Sequence, residues 1–263
     1  MDSVIHRRGF LEIMGGLSLT ASAMPLASET PSGNFYLLNH YYLRNSTQMP
    51  RINEFMERGL LPALKKVHRG PAIFCEALVA AHMPQFVTIL GLSSIADPEI
   101  LRLKLSEDEA FMTAFRAWED GPEPPYEHYS QVLVRSTEYS PPIQPLSEPP
   151  KTPRLFELRV YHSPTWKQLR ALHQRFAGPE IRIFHRVGVH PVLYGETVYG
   201  PNMPNLTYLT PFANLAARET AWNAFSADPE WVKVRKESIE ANGQISSVMQ
   251  ITLLRATAYS PIR

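Results

Sequence analysis

The sequence has one cysteine, almost no net charge and few long apolar runs, and each scarcity excludes a class of protein. Cys75 alone cannot form an intrachain disulfide, and its apolar surroundings predict a packed thiol. The 26 lysines and arginines balance 25 aspartates and glutamates, which leaves a formal charge of +1. Such a chain has no net field to attract nucleic acid or an anionic membrane, so neither is an expected partner.

Signatures of cofactor and metal chemistry are also scarce. No glycine-rich turn links a strand to a helix, which argues against a phosphate loop, a dinucleotide site or a nucleophile elbow. The nine histidines are not spaced as metal ligands, so neither a metal nor a cofactor is predicted. Hydrophobic residues make up 44% and charged residues 19% of the chain, a composition typical of a folded globular protein.

The N-terminus resembles a twin-arginine export signal. Residues 7–11 read RRGFL and precede a mildly apolar run, which is too short and too rich in glycine for a membrane span of about 20 residues. The match departs from the usual pattern at His6, in place of Ser or Thr, and at Glu12, where Lys is common. An ordinary amphipathic first helix is the alternative interpretation.

A removable signal implies export. The ASA at residues 21–23 fits a small-x-small cleavage pattern, and a cut near Ala27 is also possible. We therefore assign residues 1–30 to the signal and expect the mature protein, without a membrane span, in the periplasm or secreted.

The remaining chain reads as one domain written twice. A shift of 120 residues places RSTEYSP at residues 135–141 on RATAYSP at residues 255–261, and Met83-Pro84 on Met203-Pro204. The shift holds across a whole half without a net gap, which predicts a tandem duplication. The predicted repeats are residues 34–140 and 154–263, joined by a proline-rich linker at residues 141–153.

The second repeat gives the clearer pattern of elements. Alternating apolar and polar residues predict a strand at residues 156–161, and helical spacing predicts a helix at residues 166–187 with a kink near Gly178-Pro179. Asn214 and Asp228 are the expected caps of two further helices. The other predicted strands span residues 189–199, 205–212 and 247–255. This order is typical of a ferredoxin-like α+β unit, with helices on one face of an antiparallel sheet.

Four motifs resemble the NIPSNAP family. They are ELRVY at residues 157–161, AARE at 216–219, DPEW at 228–231 and LRATAYSP at 254–261. The first repeat departs from them, with Leu37 and Asn39 where the second has Glu157 and Arg159, and Phe111 where it has Trp231.

The resemblance implies a dimeric α/β barrel, in which two ferredoxin-like halves enclose a cavity. The duplication would supply both halves in one chain as a pseudo-dimer, and a further homo-oligomer stays open. Relatives in the barrel superfamily include cofactor-free monooxygenases, haem-degrading enzymes, isomerases and dehydratases, which is an analogy of fold alone.

The candidate ligand-binding residues are polar side chains of two strands. If helices cover the Leu158 face of the first strand, Glu157, Arg159 and Tyr161 point into the barrel. Arg159 could pair with Glu157 or Glu196, or bind a carboxylate or enol ligand with Tyr161 and Tyr194 as phenol donors. The first alternative is a structural ion-pair network, and the second is a site for a small, anionic organic molecule.

Two functions remain open at this level. The first is an exported protein that binds, with or without transforming, a small organic molecule in the barrel cavity. It is favoured because one repeat keeps the charged set that the other has lost. The second is a non-catalytic interaction or scaffold protein of the NIPSNAP type, which the lack of a catalytic constellation favours.

Overall fold

The computed structural model describes residues 35–148 and 150–263. The predicted signal at residues 1–30 lies outside these described residues. No helix within them is both long and apolar enough to span a membrane.

Eight strands close into one barrel, in which every neighbouring pair is antiparallel. Around the barrel the order is β1, β3, β2, β8, β5, β7, β6, β4. The strands are β1 (Phe35–Tyr42), β2 (Ala72–Val79), β3 (Gln85–Leu92), β4 (His128–Ser136), β5 (Leu155–His162), β6 (Leu193–Tyr199), β7 (Asn205–Phe212) and β8 (Val248–Ala256).

Helices pack on the outside of this barrel, so the fold is α+β, as the sequence predicts. The helices are α1 (Gln48–Glu54), α2 (Leu61–Val67), α3 (Asp97–Ser106), α4 (Glu109–Glu119), α5 (Trp166–Arg175), α6 (Ile181–Arg186), α7 (Leu215–Ala227) and α8 (Pro229–Asn242). Two π-helical segments, Phe55–Leu60 and Phe176–Glu180, join α1 to α2 and α5 to α6.

Local signals in the sequence account for the start of two helices, α7 and α8. The Asn214 side chain accepts a hydrogen bond from the Ala217 amide at 2.9 Å and caps α7, as predicted. Asp228 caps α8 through the amides of Glu230 and Trp231. The helix that Asp228 begins, α8, runs for 14 residues.

The predicted kink and one predicted strand boundary have different outcomes. Gly178 has non-helical backbone angles inside the π-helical segment, which confirms the interruption before Pro179. The strand predicted from residue 189 begins instead at Leu193. The reason is that the Val189 amide donates to the Phe184 carbonyl at 2.9 Å and so belongs to the end of α6.

The core forms separate layers inside and outside the barrel. Inward side chains of all eight strands pack together and include Leu38, Leu158 and the buried thiol Cys75, which confirms its prediction. Ile143 of the proline-rich segment also joins this inner core. Outward side chains pack against the helices in two layers. One layer is centred on Phe74 and Trp118, and the other is formed mainly by side chains of the second part of the chain.

Both parts of the chain contribute to the one barrel. Strands β1 to β4 form one sheet and β5 to β8 the other. Helices and strands follow one another in the same order along both parts of the chain. The two sheets join edge to edge, because β2 pairs with β8 and β4 pairs with β6. The inner core is therefore built by both parts of the chain.

Candidate functional site

A cavity of about 530 Å³ opens at one mouth of the barrel, a size typical of small-molecule sites. It lies where β1, β5 and β6 end and where β3, β4, β7 and β8 begin. Its polar side chains come from all of these strands except β5 and from the turns: His40, Tyr42, His82, Gln85, Ser130, Thr197, Asn202, Asn205, Thr207, Gln250 and Thr252. Apolar side chains of the inner core, Leu38, Val132, Leu158 and Val160, complete the lining.

Among the residues that the structure describes, the cavity lining carries no aspartate, glutamate, lysine or arginine. Its hydrogen-bonding groups are hydroxyls, carboxamides, a phenol and imidazoles, which both donate and accept. Such a lining suits an uncharged polar molecule better than an ion, because a buried charge would find no counter-charge there.

His40 is a fixed, neutral member of this lining. Its Nδ1 atom lies 2.8 Å from the Gln85 side-chain amide nitrogen. Since that nitrogen can only donate, His40 Nδ1 accepts and the ring proton is assigned to Nε2. Burial lowers the pKa of His40 to about 4, so the imidazole is uncharged near neutral pH and is a weak base.

Aromatic rings form one wall of the mouth. Tyr42 stacks on His128 with ring centroids 4.4 Å apart and meets the edge of His82 at 5.2 Å. The Tyr42 hydroxyl lies 3.1 Å from the Ser130 hydroxyl, and His82 Nε2 donates to the Leu43 carbonyl at 2.9 Å. These contacts hold a flat surface against which a planar molecule can pack.

Asn205 organises the opposite wall. It is fully buried, and its carbonyl oxygen accepts from the hydroxyls of Thr197 at 2.8 Å and Thr207 at 3.2 Å. Its amide nitrogen donates to the Asn202 carbonyl at 2.9 Å and so fixes the turn between β6 and β7. The wall is therefore preorganised by its own hydrogen bonds.

Glu157, Arg159 and Tyr161 do not line this cavity, and the prediction that they point into the barrel is wrong. Their strand turns Leu158 inward and the charged side chains outward, towards the helices. The physical reason is that the helical layer supplies charged and polar partners, whereas the barrel interior at this level is filled with apolar side chains.

Those partners come from α7. Glu157 is fully buried and accepts from Arg159 Nε at 2.6 Å, from Trp222 Nε1 at 2.7 Å and from Arg218 Nε at 2.8 Å. The Arg159 guanidinium lies 3.6 Å from the centroid of the Trp222 ring and donates to the Tyr161 hydroxyl at 3.0 Å. This arrangement confirms the Glu157–Arg159 pair predicted from the sequence, in the setting of a structural network.

Tyr194 and Glu196 share the same outer face of the sheet. Tyr194 is buried among Phe176, Tyr139 and Tyr208. Glu196 is partly exposed and lies 3.5 Å from His173 Nε2 on α5, not beside Arg159. The structure therefore brings the predicted site residues to one layer, but this layer is separate from the mouth cavity.

The cavity residues could have been found from the sequence by a different choice of face. His40, Thr207 and Gln250 belong to inward-facing rows that are polar near the mouth and apolar further inside, at residues such as Leu38 and Leu209. The signal is a change from apolar to polar along one face of a strand. Within residues 35–148 and 150–263, no three side chains of the metal-ligating types cluster as a metal site.

Comparison with known proteins gives a family for the second part of the chain and a fold for the whole. A NIPSNAP family model matches residues 156–261, which confirms the resemblance there, and no curated protein matches the chain. A candidate monooxygenase from Fusobacterium nucleatum has 7% identity and a TM-score of 0.58, over 86% of this chain and 93% of its own.

Two further solved structures are similar to this chain. An anthrone oxidase-like protein has 13% identity and a TM-score of 0.51, over 85% of this chain and 91% of its own. A NIPSNAP-like domain protein from Burkholderia xenovorans has 25% identity and a TM-score of 0.35, over 41% of this chain and 89% of its own. The monooxygenase candidate and the oxidase-like protein are similar in fold alone.

Proposed function

Because residues 156–261 carry a NIPSNAP domain, we propose that this protein binds a small organic molecule in the mouth cavity of its barrel. The observation that carries the proposal is the cavity of about 530 Å³, whose lining among the described residues is polar but holds no aspartate, glutamate, lysine or arginine. The same lining favours a neutral ligand with hydroxyl, carbonyl or amide groups over the anionic ligand considered from the sequence.

The chemistry of the lining favours binding over catalysis. A general base works best with a pKa near the working pH, whereas burial lowers the pKa of His40 to about 4. The hydroxyls of Thr197 and Thr207 already donate to Asn205, so they are held as fixed acceptors for a ligand. We therefore assign the cavity a binding role.

The architecture supports the further proposal of two tandem ferredoxin-like repeats. The element order of residues 35–136 recurs in residues 155–256, and the sequence repeats at a shift of 120 residues. In this proposal each repeat supplies half of the barrel as a pseudo-dimer, and the mouth cavity is the space between the two halves. A further homo-oligomer of the whole chain is compatible with it.

Native mass spectrometry of the protein purified from its own exported fraction tests the binding proposal. We expect a retained neutral mass that disappears in Val160→Phe, where the larger ring fills the cavity. The matched control is Arg159→Met on the neighbouring outward position, which should keep the ligand. Loss of the ligand in Arg159→Met but not in Val160→Phe would move the site to the outer layer. A co-purifying protein without any small ligand would favour the scaffold function.

We also propose export through the twin-arginine route, on the basis of Arg7 and Arg8. Replacing both with lysine keeps the charge and removes the pair that the export machinery reads. We expect the protein to stay in the cytoplasmic fraction, as measured by cell fractionation and immunoblotting. Undiminished export of the double variant would contradict the assignment.

A further inference from the structure

A set of three polar side chains that lie next to one another occurs twice on the outside of the barrel, once in each half. In one, the Tyr139 hydroxyl lies 2.7 Å from His173 Nδ1, and His173 Nε2 lies 3.5 Å from Glu196 Oε2. In the other, Tyr259, Asn53 and Glu76 take the corresponding places. Each residue is 120 positions from its counterpart, so the two sets of three residues are equivalent and differ only in the central residue.

The central residue decides what each phenol can do. Tyr259 donates to the Asn53 carbonyl oxygen at 2.8 Å, and the Asn53 amide donates to Glu76 at 2.7 Å. A carboxamide oxygen accepts this hydrogen bond but is far too weak a base to take the proton. An imidazole nitrogen, in contrast, is basic, so His173 Nδ1 can take the proton from Tyr139 when the ring proton is assigned to Nε2.

The surroundings of Tyr139 make such a proton acceptor important. Burial raises the pKa of the Tyr139 phenol, and the nearby carboxylates of Glu180 and Glu196 raise it further. The phenol therefore does not ionise spontaneously near neutral pH. Any process that removes an electron from the ring must deliver the phenolic proton to a group already in contact with the hydroxyl. His173 Nδ1 is in that position.

Aromatic rings connect Tyr139 to the interior of the outer layer. Its ring centroid is 5.4 Å from that of Tyr194, which is 5.9 Å from Tyr208, and Tyr208 is 5.1 Å from Tyr161. Electrons can move between rings at these separations without any open cavity. The chain of rings thus gives Tyr139 an electronic connection as well as a proton acceptor.

We propose that Tyr139 is a redox-active tyrosine with His173 as its proton acceptor. In the step, an outer-sphere one-electron oxidant removes one electron from the Tyr139 ring while the phenolic proton moves to His173 Nδ1. The O–H bond breaks, an N–H bond forms, the oxidant is reduced by one electron, and a neutral phenoxyl radical faces an imidazolium. The Glu196 carboxylate, whose Oε2 atom lies 3.5 Å from His173 Nε2, stabilises that imidazolium electrostatically. Tyr259, on Asn53, lacks this step.

Photochemical oxidation of the full chain tests the assignment. Tris(bipyridine)ruthenium(III) is generated by a light flash in the presence of the protein, and the radical is measured by electron paramagnetic resonance after rapid freezing. We expect a tyrosyl radical that is lost in Tyr139→Phe. Its yield should fall at least fivefold in His173→Asn, a variant that recreates the set of three residues found in the other half. Tyr259→Phe is the matched control and should leave the yield unchanged.

The reciprocal variant makes the test independent of any damage to the second half. Asn53→His should create a second radical, which disappears when Tyr259→Phe is added. Circular dichroism melts confirm that each variant is folded before the flash. An unchanged radical yield in Tyr139→Phe or in His173→Asn, or the absence of any tyrosyl radical in the parent protein, would overturn the proposal.

Discussion

Two buried carboxylates in the outer layer differ in how fully they are compensated. Glu157 accepts four hydrogen bonds, from Arg159, Arg218 and Trp222. Glu180 is equally buried, but Arg175 is its ion-pair partner at 2.6 Å, and burial outweighs this partner and raises the pKa of Glu180 to about 7. Burial with a single ion-pair partner therefore makes Glu180 easier to protonate than an exposed glutamate.

Replacing Glu157 with Gln should destabilise the fold without affecting the cavity. The substitution removes the anion shared by Arg159 and Arg218, and breaking a buried ion pair costs about 3–5 kcal/mol. Arg159→Met should cost less, because Glu157 keeps Arg218 and Trp222 as partners. Urea unfolding measures both, with Glu237→Gln on the exposed surface of α8 as the control that should not differ from the parent. An unaltered free energy of unfolding in Glu157→Gln would show that the network adds nothing to stability.

Glu180 should give the stability a dependence on pH. Its pKa is about 7 in the folded protein against 4.5 as the ordinary value, so the folded state holds this proton more tightly than the unfolded chain. The stabilisation is complete below pH 4.5 and is lost as pH rises through 7. Relative to Glu180→Gln, the unfolding free energy of the parent should therefore fall between these limits, by at most about 1.4 kcal/mol per pH unit. A difference between the two proteins that stays constant from pH 4.5 to 7.5 in urea titrations would contradict this assignment.

At the scale of elements, short polar side chains cap the start of α5, α7 and α8 in the second half. Asn214 Oδ1 lies 2.9 Å from the Ala217 amide, whereas the Thr165 hydroxyl that caps α5 lies 3.4 Å from the Gln168 amide. The shorter bond satisfies one of the free amides of the first turn more fully.

Asn214→Ala should therefore destabilise the protein by about 1 kcal/mol, which is typical for the loss of an N-cap. Thr165→Ala is the matched variant and should cost less, because its bond is already long. Thermal unfolding followed by circular dichroism compares the two. A larger effect of Thr165→Ala would mean that contacts other than the caps determine these helix ends.

For the whole molecule, closure of the barrel depends on two joints between its sheets. These joints are the pairs β2 with β8 and β4 with β6. They also bury the inward side chains of both sheets in one inner core. Separating the sheets would expose this core and leave four strand edges, two on each sheet, without partners.

Residues 154–263 alone should therefore form a homodimer or aggregate. The isolated segment would satisfy the free edges of β6 and β8 by pairing with a second copy. Size-exclusion chromatography with light scattering measures its mass, with residues 31–263 as the control that needs no such partner to close its barrel. A folded monomer of the isolated segment would contradict this account of the barrel.

The sequence by itself determined the order of elements, the caps and the kink. These features depend on local signals: alternation along a strand, Asn214 and Asp228 before helices, and Gly178-Pro179 within one. It also identified the Glu157–Arg159 pair, because residues two apart on a strand share a face. The family resemblance carried the expectation of a barrel, which the closed sheet now bears out.

The tertiary structure alone decided which face of each strand is inside. Alternation divides β5 into a Leu158 face and a Glu157 face but does not say which of them meets the helices. That choice depends on partners distant in sequence: Arg218 and Trp222 on α7 compensate the charge of Glu157, while inward apolar residues from eight strands fill the interior around Leu158. The mouth cavity follows from the same choice, because its polar side chains meet only when the barrel closes.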